Sequence, residues 1–293
     1  MMKKKQILIA FLFLINWGNG FAEDVYSKRE RPDHLMFHFT PSISLLNYKS
    51  ADQKSSISGD IGLGIEYAHF FGQHLGLSVG AELTSFSSYY TFYGRKDSLK
   101  LFDSWSGRYY ELRQNLTTKE FQRVTYLSFP VKVMYRCLIN NWLTFNASVG
   151  AAYAMYYNEK QSIVSGTIDR RAFFKDIFVE VDEFYPLMFG KFPTYINPSN
   201  ENQFKSTIIG IAQTGLSFHL YGNWNMHTEL NFQYGFKNIK NRSINLLVPE
   251  EYSGVTATNY IGDIKPLSIG LRVGFVYNFD LFGIDCKCHN WNQ

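Results

Sequence analysis

Residues 267–279, Leu-Ser-Ile-Gly-Leu-Arg-Val-Gly-Phe-Val-Tyr-Asn-Phe, decide the fold. Leu267, Ile269, Leu271, Val273, Phe275, Tyr277 and Phe279 share one face by alternation, while Ser268, Gly270, Arg272, Gly274 and Asn278 share the other. A half-buried strand of a globular sheet runs about five or six residues. Alternation sustained across this whole stretch reaches what a tilted strand needs to cross bilayer hydrocarbon, about 9–11 residues. The apolar face then meets lipid, and the rest of the chain is the sheet that this strand closes.

Composition agrees with that reading. Aromatics make up 17% of the 293 residues, charged residues only 18%, and there are 22 glycines. This mix is odd for a soluble globule but suits a membrane barrel, where aromatics girdle the interfaces and glycine lets strands bend and pack. At the start, Lys3, Lys4 and Lys5 precede the apolar residues 7–15, and Gly20-Phe21-Ala22 offers a small-residue cleavage site. Residues 1–22 therefore read as a secretory signal peptide. Without those three lysines, 26 basic residues face 25 acidic ones, from 29 and 25 in the full chain. The basicity lies mostly in the signal, and no nucleic-acid partner is implied. No stretch after it is apolar enough for a membrane helix.

Outward from the closing stretch, alternation marks strands at about 35–46, 60–71, 75–93, 125–136, 142–157, 207–221 and 226–236. Pro41 is a flaw in the first, tolerable where its missing donor faces a weak point of the ladder. Tight turns fall at Gly72-Gln73-His74, Ile139-Asn140-Asn141 and Gly222-Asn223-Trp224-Asn225; the other connections read as long loops at 47–58, 94–122, 158–205 and 237–266. The expected fold is all-β: an eight-stranded, antiparallel, up-and-down transmembrane β-barrel with short periplasmic turns and long external loops. A soluble sandwich has no reason to sort its loops by length. A soluble ligand-binding barrel would turn its apolar face inward, yet the other face here carries Glu, Lys, Arg and Asn. The barrel would occupy residues 23–279, followed by a periplasmic tail at 280–293.

The chain also resembles the outer-membrane β-barrel family common in Bacteroidota, of the OmpA-like and PorT-like eight-stranded class. The likeness is carried by Phe70-Phe71-Gly72-Gln73-His74-Leu75, by Tyr126-Leu127-Ser128-Phe129-Pro130-Val131, and by Arg272, Gly274, Tyr277 and Phe279, which resemble the closing-strand signal read by the barrel assembly machinery. The resemblance implies a Gram-negative cell outer membrane location, with outer-membrane lipid and that machinery as partners. It does not imply an activity. The closing aromatic normally stands near the chain end, whereas residues 280–293 follow Phe279 here.

Six ionised residues fall on inward faces: Glu66, Glu82 and Glu229 against Lys132, Arg136 and Arg272. In a narrow eight-strand lumen such charges persist only when paired. The expectation is a salt-bridged core, Arg272 with Glu229 and Lys132 with Glu82, more static than gating. The seven histidines, His34, His38, His69, His74, His219, His227 and His289, all read as lying at periplasmic strand ends or in the tail. A serine-histidine lipid-modifying site at the outer rim would lack its base. No catalytic residue, cofactor or metal is assigned; Cys286, Cys288 and His289 lack zinc-knuckle spacing. Cys137, Cys286 and Cys288 gather on the oxidising periplasmic side, where a disulfide would join Cys137 to Cys286 or Cys288, or Cys286 to Cys288.

The connection at 158–205 is too apolar for a freely solvated loop, with Phe173, Phe174, Phe178, Phe184, Tyr185, Leu187, Met188, Phe189, Phe192 and Tyr195. A short helix at 169–178 is expected, or a hairpin through 177–181. The segment reads as a lid on its own barrel mouth, as a docking surface for a protein or glycan, or both. The function so read is an integral outer-membrane barrel with a structural or interaction role and no enzymatic activity. The alternatives are a small-solute porin or secretion-system component, then a lipid-modifying enzyme.

Overall fold

The computed structural model describes residues 32–49, 54–184, 189–193, 204–241 and 261–281. The signal peptide read at 1–22, most of the tail, and Cys286, Cys288 and His289 lie outside them. The strands are β1 (Asp33–Tyr48), β2 (Lys54–Phe70), β3 (Leu75–Asp103), β4 (Arg108–Asn140), β5 (Leu143–Phe174), β6 (Val179–Val181), β7 (Gly190–Pro193), β8 (Thr207–Tyr221), β9 (Trp224–Gly235) and β10 (Ile264–Phe279). Pairing runs β4-β3-β2-β1-β10-β9-β8-β5, and β4 pairs again with β5. That last ladder closes an eight-stranded antiparallel barrel, while β6 and β7 hang on the upper part of β5. Closure leaves no sheet edge within the wall, the condition for strands in hydrocarbon.

The alternation resolves as expected. Phe37, Phe39, Leu63, Ile65, Val79, Val131, Leu230, Ile269, Leu271 and Phe275 stand exposed around the outside, while Glu66, Glu82, Lys132 and Arg272 are buried within. A water-soluble barrel would be the inverse, so the wall is a transmembrane one. At the end carrying both described strand termini and the tight turns, Trp142 stacks on Phe218, Trp224 leans on Tyr277, and Tyr277 stacks on Phe279. These rings form an interfacial belt. The β8–β9 turn needs Gly222, whose φ is 59°.

The first and last strands are latched at this end. The Asp33 carboxylate is fully buried; it accepts from Tyr67 Oη at 2.5 Å, sits 2.8 Å from His69 Nδ1 and takes the Leu281 amide at 2.7 Å. Asp33→Ala strips three groups of their acceptor at once. It is expected to cost about 2–3 kcal/mol, read as an earlier loss of the fast-migrating folded band in a urea series. Retention of the wild-type midpoint would show the latch to be idle.

The prolines are accommodated as the ladder rule requires. β1 pairs with β10 at Phe39↔Val273 and again at Ser42↔Gly270, with no partner between for Thr40 and Pro41, whereas both residues stay in register with β2. Pro130 likewise pairs with Ala152 on β5 while the β3 ladder passes from Val131 to Ser128.

The structure departs from the sequence reading above the wall. The segment 94–122 is not a loop: β3 and β4 run on as strands of 29 and 33 residues and turn only at Ser104–Gly107. The first connection, by contrast, is only residues 49–53. The helix expected at 169–178 is strand, since β5 continues for 32 residues to Phe174. It then turns at 175–178 into β6, which is the hairpin alternative. The lipid-type pattern stops where the bilayer stops, but the backbone ladder does not.

Candidate functional site: a filled lumen beneath an external sheet

Four buried ions from four strands form a belt inside the barrel. Glu66 Oε2 takes Lys132 Nζ at 2.7 Å and Arg272 Nη1 at 3.0 Å, and Arg272 Nη2 reaches Glu82 Oε2 at 3.0 Å. Neutral groups complete the circle. Lys132 donates to Gln213 Oε1 at 2.6 Å, Ser148 Oγ donates to the same oxygen at 2.9 Å, and Gln213 Nε2 donates to Asn231 at 3.0 Å. His38 Nε2 lies 3.8 Å from Glu82 Oε2. Every strand of the barrel thus contributes one residue. Arg272 supplies the fork because a guanidinium can reach two carboxylates in fixed directions.

Glycines make the room. In register, Glu66 faces Gly80, Glu82 faces Gly64, Lys132 faces Gly150, Glu229 faces Gly215 and His227 faces Gly274. A Cβ on Gly64 would stand 2.4 Å from His38 Nε2, and one on Gly274 2.8 Å from His227 Cε1. A lumen this narrow holds large polar side chains only because their cross-strand neighbours have none.

The expected pairing scheme changes here. Arg272 and Glu229 are opposite in register, yet Arg272 turns to Glu66 and Glu82, and Lys132 to Glu66 instead of Glu82. Backbone adjacency fixed the wrong partner; the long side chains cross the lumen to carboxylates on β2 and β3. Arg136 lies apart, at the turn end, donating to the carbonyls of Gln73 at 3.0 Å and Gly72 at 3.3 Å with its guanidinium 4.0 Å above the Phe70 ring. His38 and His227 are buried in the lumen among these charges, not at strand ends. His34, His69, His74 and His219 do sit at the turn end, bonded to Arg136, Asp33, the Arg136 carbonyl and Asn225. Cys137 is half-buried and has no disulfide partner among the described residues.

Towards the external end the lumen fills with apolar groups. Leu46, Tyr48, Phe86, Tyr90, Val124 and Tyr126 from the wall meet Phe204, Ile239 and Ile261 from the connecting segments in one buried cluster. The stopper is pinned by Lys205 N to Ile239 O at 2.8 Å, by Ile239 N to Ile264 O at 3.0 Å, and by Lys240 Nζ to Ile261 O at 2.6 Å. Burial lowers the pKa of that ammonium. Of the segment 158–205, the expected lid, Ile168 and Phe204 join this cluster, and residues 185–188 and 194–203 lie outside the described residues. Phe204, Ile239 and Ile261 close the mouth, short apolar insertions in polar stretches that no periodicity would single out. Beside the plug, Asp60 accepts from the Ser44 and Ser87 hydroxyls and pairs with Arg123 Nε at 3.2 Å, where the β2–β3 register slips between Ile57 and Gly62.

Above the wall, β3, β4, β5, β6 and β7 continue as an external sheet. Its apolar face buries Leu112, Ala172 and Phe189, with Leu101, Tyr110, Phe174 and Val181 packed on them. Of the aromatic residues of the long connection, Phe174 and Phe189 fold onto this face, whereas Phe178 stands exposed; Tyr185, Leu187, Met188 and Tyr195 lie outside the described residues. Burial raises the Tyr110 phenol. The other face is a checkerboard of charge. Arg113 bonds Glu111 at 3.2 Å and covers Phe173 at 4.0 Å, and Arg171 bonds Asp169 at 3.1 Å and lies 4.0 Å from Glu180. Hydrogen bonds from Ser98 and then Arg113 hold the Glu111 carboxyl below its usual range. Two shallow grooves of about 600 and 680 Å³ share Ser98 and Glu111 on this face.

No known protein family matches the chain, and no curated protein does. Among solved structures, 28 chains match. The attachment invasion locus protein Ail of Yersinia pestis, solved with the heparin analogue sucrose octasulfate, is 9% identical over 84% of this chain and 99% of its own, with a TM-score of 0.33. The outer membrane protein OprG from Pseudomonas aeruginosa is 11% identical over 86% of this chain and 98% of its own, at 0.37. The translocator domain of the autotransporter NalP from Neisseria meningitidis is 8% identical over 94% and 98%, at 0.22. Likeness of this degree adds nothing to the strand pairing, which by itself fixes the architecture as a closed eight-stranded transmembrane barrel.

Proposed function

We propose that this is a non-enzymatic integral protein of the Gram-negative outer membrane, with a closed barrel as a rigid base and the external sheet as the recognition surface. The carrying observation is the stacking of an ion-paired belt under an apolar plug. Such an interior leaves small solutes neither a wet path nor a greasy one, which disfavours the porin reading. The described histidines stand in the lumen or at the turn end, so a rim hydrolase would lack its usual base. On this reading Arg272, Gly274, Tyr277 and Phe279 serve the assembly machinery as well as the finished wall. The kinship with the Bacteroidota class belongs to the same proposal.

Planar-bilayer recording tests closure. Wild-type protein is expected to give no steady conductance, and the plug variant Phe86→Ala/Tyr90→Ala/Tyr126→Ala to give frequent openings. Large steady steps from wild type would overturn the closed-lumen reading.

A further inference from the structure

The far end of the external sheet is built to enter a lipid surface. β3 and β4 turn at Ser104–Gly107, and β5 turns into β6 at residues 175–178. The two turns are tied side by side by Arg108 Nη1 and Asp176 Oδ2 at 2.6 Å. Both are held stiffly. The Asp103 carboxylate takes the amides of Trp105 at 3.1 Å and Ser106 at 3.2 Å, and Gly107 N returns to Asp103 O at 2.9 Å. The Ser106 hydroxyl, then these amides, keep Asp103 ionised below the usual carboxylate range.

What the turns hold out is apolar. Trp105 is 96% exposed and Phe178 82%, with Ile177, Phe102 and Tyr109 exposed beside them. Phe178 has φ 53°, the left-handed region that a bulky residue adopts only under constraint. Backbone strain is thus spent on placing a phenyl ring in solvent. The turns cannot serve the protein's own membrane. Asp103 lies ten residues beyond the exposed ring of Tyr93, roughly 30 Å of strand.

We infer that this tip anchors in the interface of a second, apposed lipid bilayer, with Trp105, Ile177 and Phe178 as the inserted groups. The placement of these groups selects a lipid over a glycan. Sugars are held in grooves by planar rings and polar groups, whereas Trp105, Ile177 and Phe178 line neither groove of the sheet and include an aliphatic side chain. The surrounding charge fits too. Lys100, Arg108 and Lys175 line the groove next to the apolar groups, Asp176 is neutralised by Arg108, and Asp103 is turned into its own backbone. Exposed apolar residues flanked by long cationic side chains able to snorkel are the arrangement of an interfacial anchor.

The inference rests on the external orientation of the sheet, and the test separates the two. First, Ser104→Cys in intact cells is to be labelled with a membrane-impermeant maleimide; no labelling above wild type would sink the orientation itself. Second, full-length protein in nanodiscs is mixed with phosphatidylcholine/phosphatidylglycerol vesicles carrying brominated acyl chains, then floated. Wild type is expected to float with the vesicles and to lose tryptophan fluorescence. Trp105→Ser/Phe178→Ser, folded by its heat-shifted gel mobility, is expected to bind at least about a hundredfold more weakly. Labelled Ser104→Cys with no flotation of wild type, or flotation undiminished in the double variant, or tip-dependent capture on immobilised polysaccharide instead, would each overturn the lipid assignment.

Discussion

Replacing Arg272 with alanine is expected to lower barrel stability by about 3–5 kcal/mol, the cost of leaving a buried ion pair half broken. Arg272 is 1% exposed and is the cation that binds Glu66 and Glu82 together. Without it, three carboxylates, Glu66, Glu82 and Glu229, share the lumen with Lys132, whose ion pair is with Glu66. Arg272→Lys should recover only part of the loss, since an ammonium cannot fork to both acids. Arg272→Met with Glu82→Gln should recover more, because it also removes the carboxylate that Arg272 had paired and leaves the Lys132–Glu66 pair whole. Urea titration of refolded protein in detergent, read by heat-modifiable mobility, distinguishes these. If the single alanine variant unfolded with the wild type and the double variant gained nothing, the belt would be ornamental.

The second large effect is expected at Gly150. An alanine Cβ there would stand 2.1 Å from the Val131 carbonyl oxygen and 2.7 Å from Lys132 Cα. Backbone cannot rotate aside as a side-chain tip can, so β4 and β5 would have to part at the level of the belt. A loss of about 3 kcal/mol is expected, at the upper end of overpacking costs. Gly215→Ala should behave alike, with its Cβ 2.1 Å from Thr228 O and 2.5 Å from Glu229 Cα. Gly59→Ala is the control: nothing lies within 4 Å of its Cβ, and a change within about 0.5 kcal/mol is expected. Equal tolerance at Gly150 and Gly59 under the same urea titration would mean the lumen is wider than its register implies.

The barrel was legible because lipid imposes one rule on one face for a whole crossing, and β10 obeys it from Leu267 to Phe279. Lumen residues were legible by parity, but their partners were not. Parity places Arg272 beside Glu229 in the ladder and says nothing about which carboxylate a long side chain reaches across the interior. A sharper signal was present. Counting back from the turn at Gly72 puts Glu66 opposite Gly80 and Gly64 opposite Glu82, a mark of charges that need room. The stopper was not readable, because Phe204, Ile239 and Ile261 lie in polar stretches and come together only when two connections meet. The external sheet was missed for a related reason. Outside the bilayer a strand has water beside it, so residues 94–122 and 158–174 lose the lipid-facing pattern while keeping their hydrogen bonds.

Since β3, β4 and β5 cross the membrane and the outer sheet without interruption, anything that grips the tip is mechanically continuous with the wall. A pull there runs along the strand axes and loads the flanking ladders to β2 and β8 in shear, many bonds at a time, instead of peeling them singly. The base then resists detachment far better than a hinged domain on a flexible tether would, and tension at the surface arrives in the bilayer undamped.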